Sequence, residues 1–280
     1  MLAETAETGK QAEVSATVAR HLRATARLAA LAVVLAATTA DAMRLYCCGR
    51  LWNREQGAAW LHRWCGRILR CMGVESRVSA AVPGATAAGG ERFEAIVCNH
   101  LSYLDILLMA SAVPCVLVAK SEVRRWPLIG WLTTRSGAVF VWRGGRRETY
   151  ATVNAEMAWA FRSGVPVAFF PEGTTTDGRQ VLPFRRGLFH SVLHDDVAFR
   201  TAAIEYELLG DEAGAAMERD VCWCGDAALI PHLYRLLGLR GVQATVRFGR
   251  TVVGADRFAL SQNAREAVLE LAGVVEIVHC

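Results

Sequence analysis

Beyond Arg92 the chain alternates between short runs of apolar, β-branched and aromatic residues and longer stretches with helical spacing. The runs are FEAIVC (93–98), PCVLVA (114–119), GAVFVW (137–142), VPVAFF (165–170), VAFRTAAIEY (197–206) and VQATVRF (242–248). Between two of them Tyr150, Val153, Met157 and Phe161 recur at helical intervals and stop at Gly164, where a left-handed helix end favours glycine. Strands alternating with helices predict an α/β fold with a mixed, largely parallel sheet flanked by crossover helices.

Upstream, AAVPGATAAGGER (80–92) reads as a loop and a candidate boundary, and the segments before it are mostly helical in pattern. LWNREQGAAWLHRWCGRILRCMGV (51–74) spaces Trp60, Trp64, Ile68 and Cys71 along one face, sets arginines on the other and ends near Gly73. Before it, Leu28 to Ala40 carry no charge and follow Arg20, Arg23 and Arg27. That run falls short of the roughly 20 apolar residues of a bilayer span. Glu4, Glu7 and Glu13 in the long leader fit a signal peptide poorly. The expectation is an amphipathic or shallowly inserted helix whose arginines meet anionic headgroups, although a helix buried on the protein's own core would read similarly. The predicted organisation is a polar, mobile leader at 1–17 and an N-terminal helical membrane-contact region at 18–75. An α/β domain at 93–250 follows, with a helical extension of the same domain at 251–280. Within it, SEVRRWPLIGWL (121–132) places Trp126, Ile129 and Trp131 around Pro127, facing either a membrane or acyl chain, or the core.

With 280 residues and 53% hydrophobic content the chain can build a large core, which argues against disorder. A net charge of +4 and a pI near 8.6 suit an anionic partner such as a phosphorylated ligand or lipid headgroups, and no basic cluster points to nucleic acid. Nine cysteines form an odd set without CxxC or zinc-like Cys/His spacing, so reduced, buried thiols are expected and no metal site. Cys222 and Cys224 read as alternation on a strand.

Ligands of open α/β sheets bind beyond the carboxyl ends of the strands. There the residues are reactive: Asn99 and His100 after the first run, Lys120 and Ser121 after the second, Arg143 after the third, and Pro171, Glu172, Gly173 and three threonines after the fourth. If these strands are parallel neighbours, a histidine, a carboxylate, two cations and a hydroxyl-rich glycine turn share one rim, which suits a phosphate-bearing substrate and a proton transfer. In NHLSYLD, His100 is the natural base, and Asp105, one turn into the following helix, can orient it. The same letters spell a capping box, Ser102-x-x-Asp105. No serine lies in G-x-S-x-G, and GTTTDG (173–178) lacks the lysine of a phosphate-binding loop.

Taken with GAVFVWR, FPEGTTTDG and FRRG, NHLSYLD makes the chain resemble the lysophospholipid acyltransferases, the glycerol-3-phosphate and 1-acylglycerol-3-phosphate acyltransferase superfamily, from about Glu94 to Phe248. The segment WCGDAALIPHLYRLLGL is also similar to that family's C-terminal part. The resemblance implies a general base at His100 that deprotonates a glycerol hydroxyl, with Asp105 as its orienter, and direct attack on an acyl thioester. It implies that Arg143 grips the acceptor phosphate, that Glu172, Gly173 and Thr174 belong to the acceptor-binding segment, with Glu172 holding Arg143, a backbone donor or an acceptor hydroxyl, and that Arg185 adds positive charge nearby. The implied reaction needs no cofactor. It moves a fatty acyl group from acyl carrier protein or coenzyme A to 1-acyl-sn-glycerol-3-phosphate, giving phosphatidic acid, at the cytoplasmic face of the cell membrane in a peripheral or monotopic enzyme. FPEGTTTDG is also similar to lyso-ornithine lipid acyltransferases, which makes that acceptor the alternative, and a non-catalytic lipid-binding relative is a further one. Two positions depart from the pattern: Trp142 replaces an acidic residue, and FRTAAIEY carries Thr201 where relatives have a proline-bearing strand.

Overall fold

The computed structural model describes residues 2–48, 53–79, 95–142, 147–162, 164–194, 197, 199–210 and 214–274. In chain order the elements are α1 (Leu2–Cys47), α2 (Arg54–Met72), β1 (Val74–Ser79), β2 (Ala95–Cys98), α3 (Leu104–Ala112) and β3 (Val116–Lys120). A 3-10 turn (Ser121–Arg125), α4 (Ile129–Arg135), β4 (Val139–Val141), α5 (Arg147–Arg162), β5 (Val167–Phe169) and α6 (Phe189–His194) follow. The chain continues with β6 (Phe199–Leu208), α7 (Met217–Asp220), α8 (Leu229–Gly238), β7 (Val242–Thr251) and α9 (Arg257–Ala272).

Among the described residues the strands form one seven-stranded sheet in the order β1-β7-β6-β2-β5-β3-β4. Strands β2 to β5 run parallel to their neighbours, β6 runs parallel to β2, and β7 is antiparallel to β6. All four residues of β2 are buried because both sheet faces are covered. Ile96 and Cys98 face a core built from α1, α2, α3 and α8, whereas Ala95 and Val97 face one built from α5, α6 and α9. In α5, Val153, Met157 and Phe161 are buried on the face their spacing predicts, and Gly164 has φ +73°. The short strand β1 is not legible as a strand in the sequence. Only Val74 of VESRVS is buried, and its pairing comes from β7 at the sheet edge.

The N-terminal region departs from expectation in two ways, in its leader and in its arginines. The leader at 1–17 is helical from Leu2, as its alanine- and glutamate-rich composition favours, and joins α1. Ala24, Leu31, Thr38 and Ala42 are buried, so α1 lies lengthwise on the body, against α8, α2 and α4. Arg20, Arg23 and Arg27, in turn, do not point away from the protein. Arg20 lies 3.5 Å from buried Asp220, and Arg23 donates to the Gly238 carbonyl at 2.9 Å. Arg27 donates to the carbonyls of Leu237, Leu239 and Arg240 at 3.1, 2.6 and 2.9 Å. The carbonyl-bearing end of α8 is electronegative and draws cations, which is why these side chains turn inward.

Helix α2 begins at an Asn53 cap and ends at Gly73 with φ +80°. Trp60 is buried, and its indole N–H and that of Trp64 both donate to Asp41 of α1, at 3.2 and 3.1 Å. These tryptophans join two helices. In the 121–132 segment Trp126 and Ile129 are exposed, whereas Trp131 is partly buried against the small cluster of Ala42, Trp60 and Leu132.

Candidate active site

Parallel pairing of β2, β5, β3 and β4 brings the ends of these strands to one rim, so Asn99 and His100, Phe170 to Gly173, Lys120 and Trp142 are neighbours. The ladder between β2 and β6 ends at Cys98 and Ala202. One step further the Asn99 side chain takes over the pairing, accepting from the Ile204 N–H at 2.8 Å and donating to its carbonyl at 3.0 Å. An amide can satisfy a main-chain donor and acceptor together, which lets the backbone leave the strand at this point without orphaned groups.

His100 follows in the turn, its side chain 15% exposed. Its Nδ1 lies 2.7 Å from Oδ2 of Asp105, which is fully buried. The same oxygen accepts from the N–H groups of Leu101 (2.5 Å) and Ser102 (2.9 Å), and Oδ1 accepts from the Tyr206 hydroxyl at 2.6 Å. Because a carboxylate only accepts, Nδ1 carries the proton, and Nε2 is left as the basic nitrogen. The capping-box reading is half realised. Asp105 reaches back to the main chain, but the Ser102 hydroxyl is buried and makes no hydrogen bond among the described residues.

The segment after β5 wraps this turn. Glu172 is buried, and its two oxygens accept from the N–H groups of His100 (2.7 Å) and Leu182 (2.8 Å). Burial pushes this carboxyl up to about 7, with the two N–H donors pulling against the shift. Thr176 donates its N–H to the His100 carbonyl at 2.9 Å, and Trp223 donates its own to that of Leu101 at 2.9 Å. Thus the turn that carries His100 is tied to three distant segments. Glu172, expected among substrate-binding residues, spends both oxygens on the backbone, while Thr174 stands exposed on the same loop.

A cavity of about 150 Å³ adjoins the turn, lined by Lys120, Trp142, Phe170, Gly173, Arg185 and Leu188, among others. Phe170 stacks on the His100 ring at 4.5 Å between centroids. Gly173 has φ +73°, and a Cβ there would sit 2.6 Å from Nε of Arg185, so the glycine is what lets this guanidinium lie against the loop. Two cations at an apolar cavity beside an oriented histidine can hold an anionic group while a neighbouring hydroxyl is deprotonated. Arg143 lies outside the described residues.

Of the expected residues, His100, Asp105, Glu172, Gly173, Thr174 and Arg185 are gathered here. Lys120 stands out in the sequence by its place after a strand, but Asn99 and Tyr206 have no local signature. Cys98 is buried and its thiol is pushed well up by burial, which leaves it no nucleophilic role.

The acyltransferase family profile matches residues 91–205. Lyso-ornithine lipid O-acyltransferase of Pseudomonas aeruginosa is 32% identical over 219 residues, 77% of this chain and 78% of that protein. The 1-acyl-sn-glycerol-3-phosphate acyltransferase of Neisseria meningitidis is 30% identical over 176 residues, 62% of this chain and 67% of that one. Among solved structures, the 1-acyl-sn-glycerophosphate acyltransferase of Thermotoga maritima shares the fold with a TM-score of 0.66 at 16% identity, over 92% of this chain and 96% of that one.

Proposed function

The chain belongs to the glycerol-3-phosphate and 1-acylglycerol-3-phosphate acyltransferase superfamily, and from that premise we propose that it moves a fatty acyl group from a thioester to the free hydroxyl of a lysolipid. The observation that carries this reading is the His100 ring, bound through Nδ1 to a buried carboxylate beside a cavity that holds two cations. Nε2 takes the acceptor's hydroxyl proton as the oxygen attacks the thioester carbonyl. The tetrahedral intermediate then collapses, the C–S bond breaks, and the imidazolium returns the proton to the departing thiolate. Asp105 stabilises the imidazolium between these steps.

Lys120 and Arg185 suit an anionic head group, and 1-acyl-sn-glycerol-3-phosphate is the acceptor we assign, with acyl carrier protein or coenzyme A bearing the acyl chain. A second reading is lyso-ornithine lipid, whose carboxylate the two cations would meet, and the relative matched over 77% of this chain carries that name. Relatives with both names match this chain.

Val14–Cys47 is the one helix among the described residues long and apolar enough to cross a membrane. Its lengthwise packing supports a monotopic placement, with exposed Leu28 and Val33 toward lipid, and the membrane face we assign is the cytoplasmic one. To test the function, purified protein is given a labelled acyl thioester with each lysolipid in turn. Transfer to one of them that is lost in His100→Ala is expected. No transfer to either would overturn the assignment, and release of free fatty acid alone would make the protein a thioesterase.

A further inference from the structure

Asp105 is the group on which His100 depends, and its own support comes from a strand far away in sequence. Strand β6 continues past its last β2 partner, Ala202, to Leu208, so its final residues stand beside the turn that carries the motif. The main chain of Ile204 holds the Asn99 amide, and two residues further along the strand the side chain of Tyr206 reaches Asp105. The two carboxylate oxygens are loaded unequally. Oδ2 accepts from His100, Leu101 and Ser102, whereas among the described residues Oδ1 is served by Tyr206.

We propose that Tyr206 is a positioning residue for acyl transfer, acting through Asp105 on the basicity and orientation of His100. The proposal rests on the reading of His100 and Asp105 as base and orienter. The Tyr206 hydroxyl stops rotation of the carboxylate, so that an Oδ2 lone pair stays aimed at Nδ1. It also draws negative charge toward Oδ1, which moderates the pull of Asp105 on the imidazolium. Tyr206 and Asp105 are both buried, so solvent does not readily replace the hydroxyl. Tyr206 keeps its proton throughout the cycle. Burial and the neighbouring Asp105 push its ionisation well above the usual tyrosine range, and it remains a donor. The other titratable groups around this pair are Cys98 at the end of β2, Cys222 after α7 and Glu172 on the following loop. Both thiols are pushed up by burial and stay protonated at working pH.

The test is Tyr206→Phe, which deletes the hydroxyl and keeps the ring. Three readouts are followed: kcat and KM for the lysolipid, the pH dependence of kcat/KM, and the NMR titration of the His100 imidazole. Expected are a kcat lower by about tenfold, the scale of one hydrogen bond to a buried charge, and an unchanged KM. The acid limb and the NMR midpoint both move up by about half to one pH unit, because an unmoderated carboxylate holds the imidazolium proton more tightly. A second protein carries 3-fluorotyrosine at position 206, a stronger donor of nearly the same size, and both values move down. If both proteins keep the wild-type pH limb and imidazole midpoint, and only thermal stability changes, Tyr206 is a packing residue and the proposal fails. The imidazole titration reads this coupling without turnover. Full activity in His100→Ala would instead refute the dyad itself, so the two failures are distinguishable.

Discussion

Replacing Asp105 by asparagine isolates its charge from its geometry. Among the described residues the carboxylate of Asp105 accepts four hydrogen bonds, three on Oδ2 and one on Oδ1. An amide can reproduce this if its oxygen takes the place of Oδ2, because its NH2 then faces a tyrosine hydroxyl that can turn to accept. The Nδ1–H tautomer of His100 is therefore retained, and what disappears is the negative charge beside the imidazolium. With 2.7 Å between the bonded atoms, the charge centres are about 4 Å apart, and their attraction is about 4 kcal/mol at an effective dielectric near 20. That predicts a loss of roughly a thousandfold in kcat/KM with little change in melting temperature. Asp105→Ala behaves differently, since it also orphans the buried N–H groups of Leu101 and Ser102, at about 1 to 3 kcal/mol each. Acyl transfer from a labelled thioester and thermal unfolding of both variants make the comparison. If Asp105→Asn kept activity within tenfold of wild type, or were as unstable as Asp105→Ala, the separation of charge from scaffold would be wrong.

Two further outcomes follow from the loop after β5. Glu172 has its carboxyl pushed up to about 7 from an ordinary value of 4.5, so the folded state binds its proton more tightly than the unfolded state does. Its contribution to stability is complete below 4.5 and is lost as pH rises through 7, a change of about 3 kcal/mol. Glu172→Gln, which sets an NH2 against a main-chain N–H, is expected to cost about 1 to 3 kcal/mol at pH 5. Because only the wild type loses this stability, the gap should close or change sign by pH 8 in urea titrations, and a pH-independent difference would contradict the assignment. Gly173→Ala should raise KM for the acceptor several-fold and leave KM for the thioester unchanged, because the new Cβ displaces the Arg185 side chain. Equal effects on both substrates, measured by varying each in turn, would separate Arg185 from acceptor binding.

Local pattern carried much of the architecture. The β-rich runs that became β2 to β7, the helix ending at Gly164, and the placement of Asn99, His100 and Phe170 just after strands and of Lys120 at a strand end are properties of neighbouring residues, so a single segment reveals them. The five-residue interval from His100 to Asp105 is likewise local, since it spans one turn and the first turn of α3. Even so, the letters of Ser102-x-x-Asp105 allow a cap or an orienter. Burial of the serine hydroxyl without a partner, and the approach of Tyr206, come from the packed fold.

What the sequence by itself determined is which residues face inward along each element and which reactive groups stand at the strand ends, because side-chain direction repeats with the backbone period. Tertiary structure decided who meets whom. It turned Arg20, Arg23 and Arg27 onto Asp220 and the end of α8, bound Glu172 to the backbone of His100, and brought Tyr206 across about a hundred residues of chain to Asp105. Those pairings satisfy buried donors and acceptors that are otherwise costly to leave unpaired, and the partner that satisfies each one lies in a segment to which no local pattern refers.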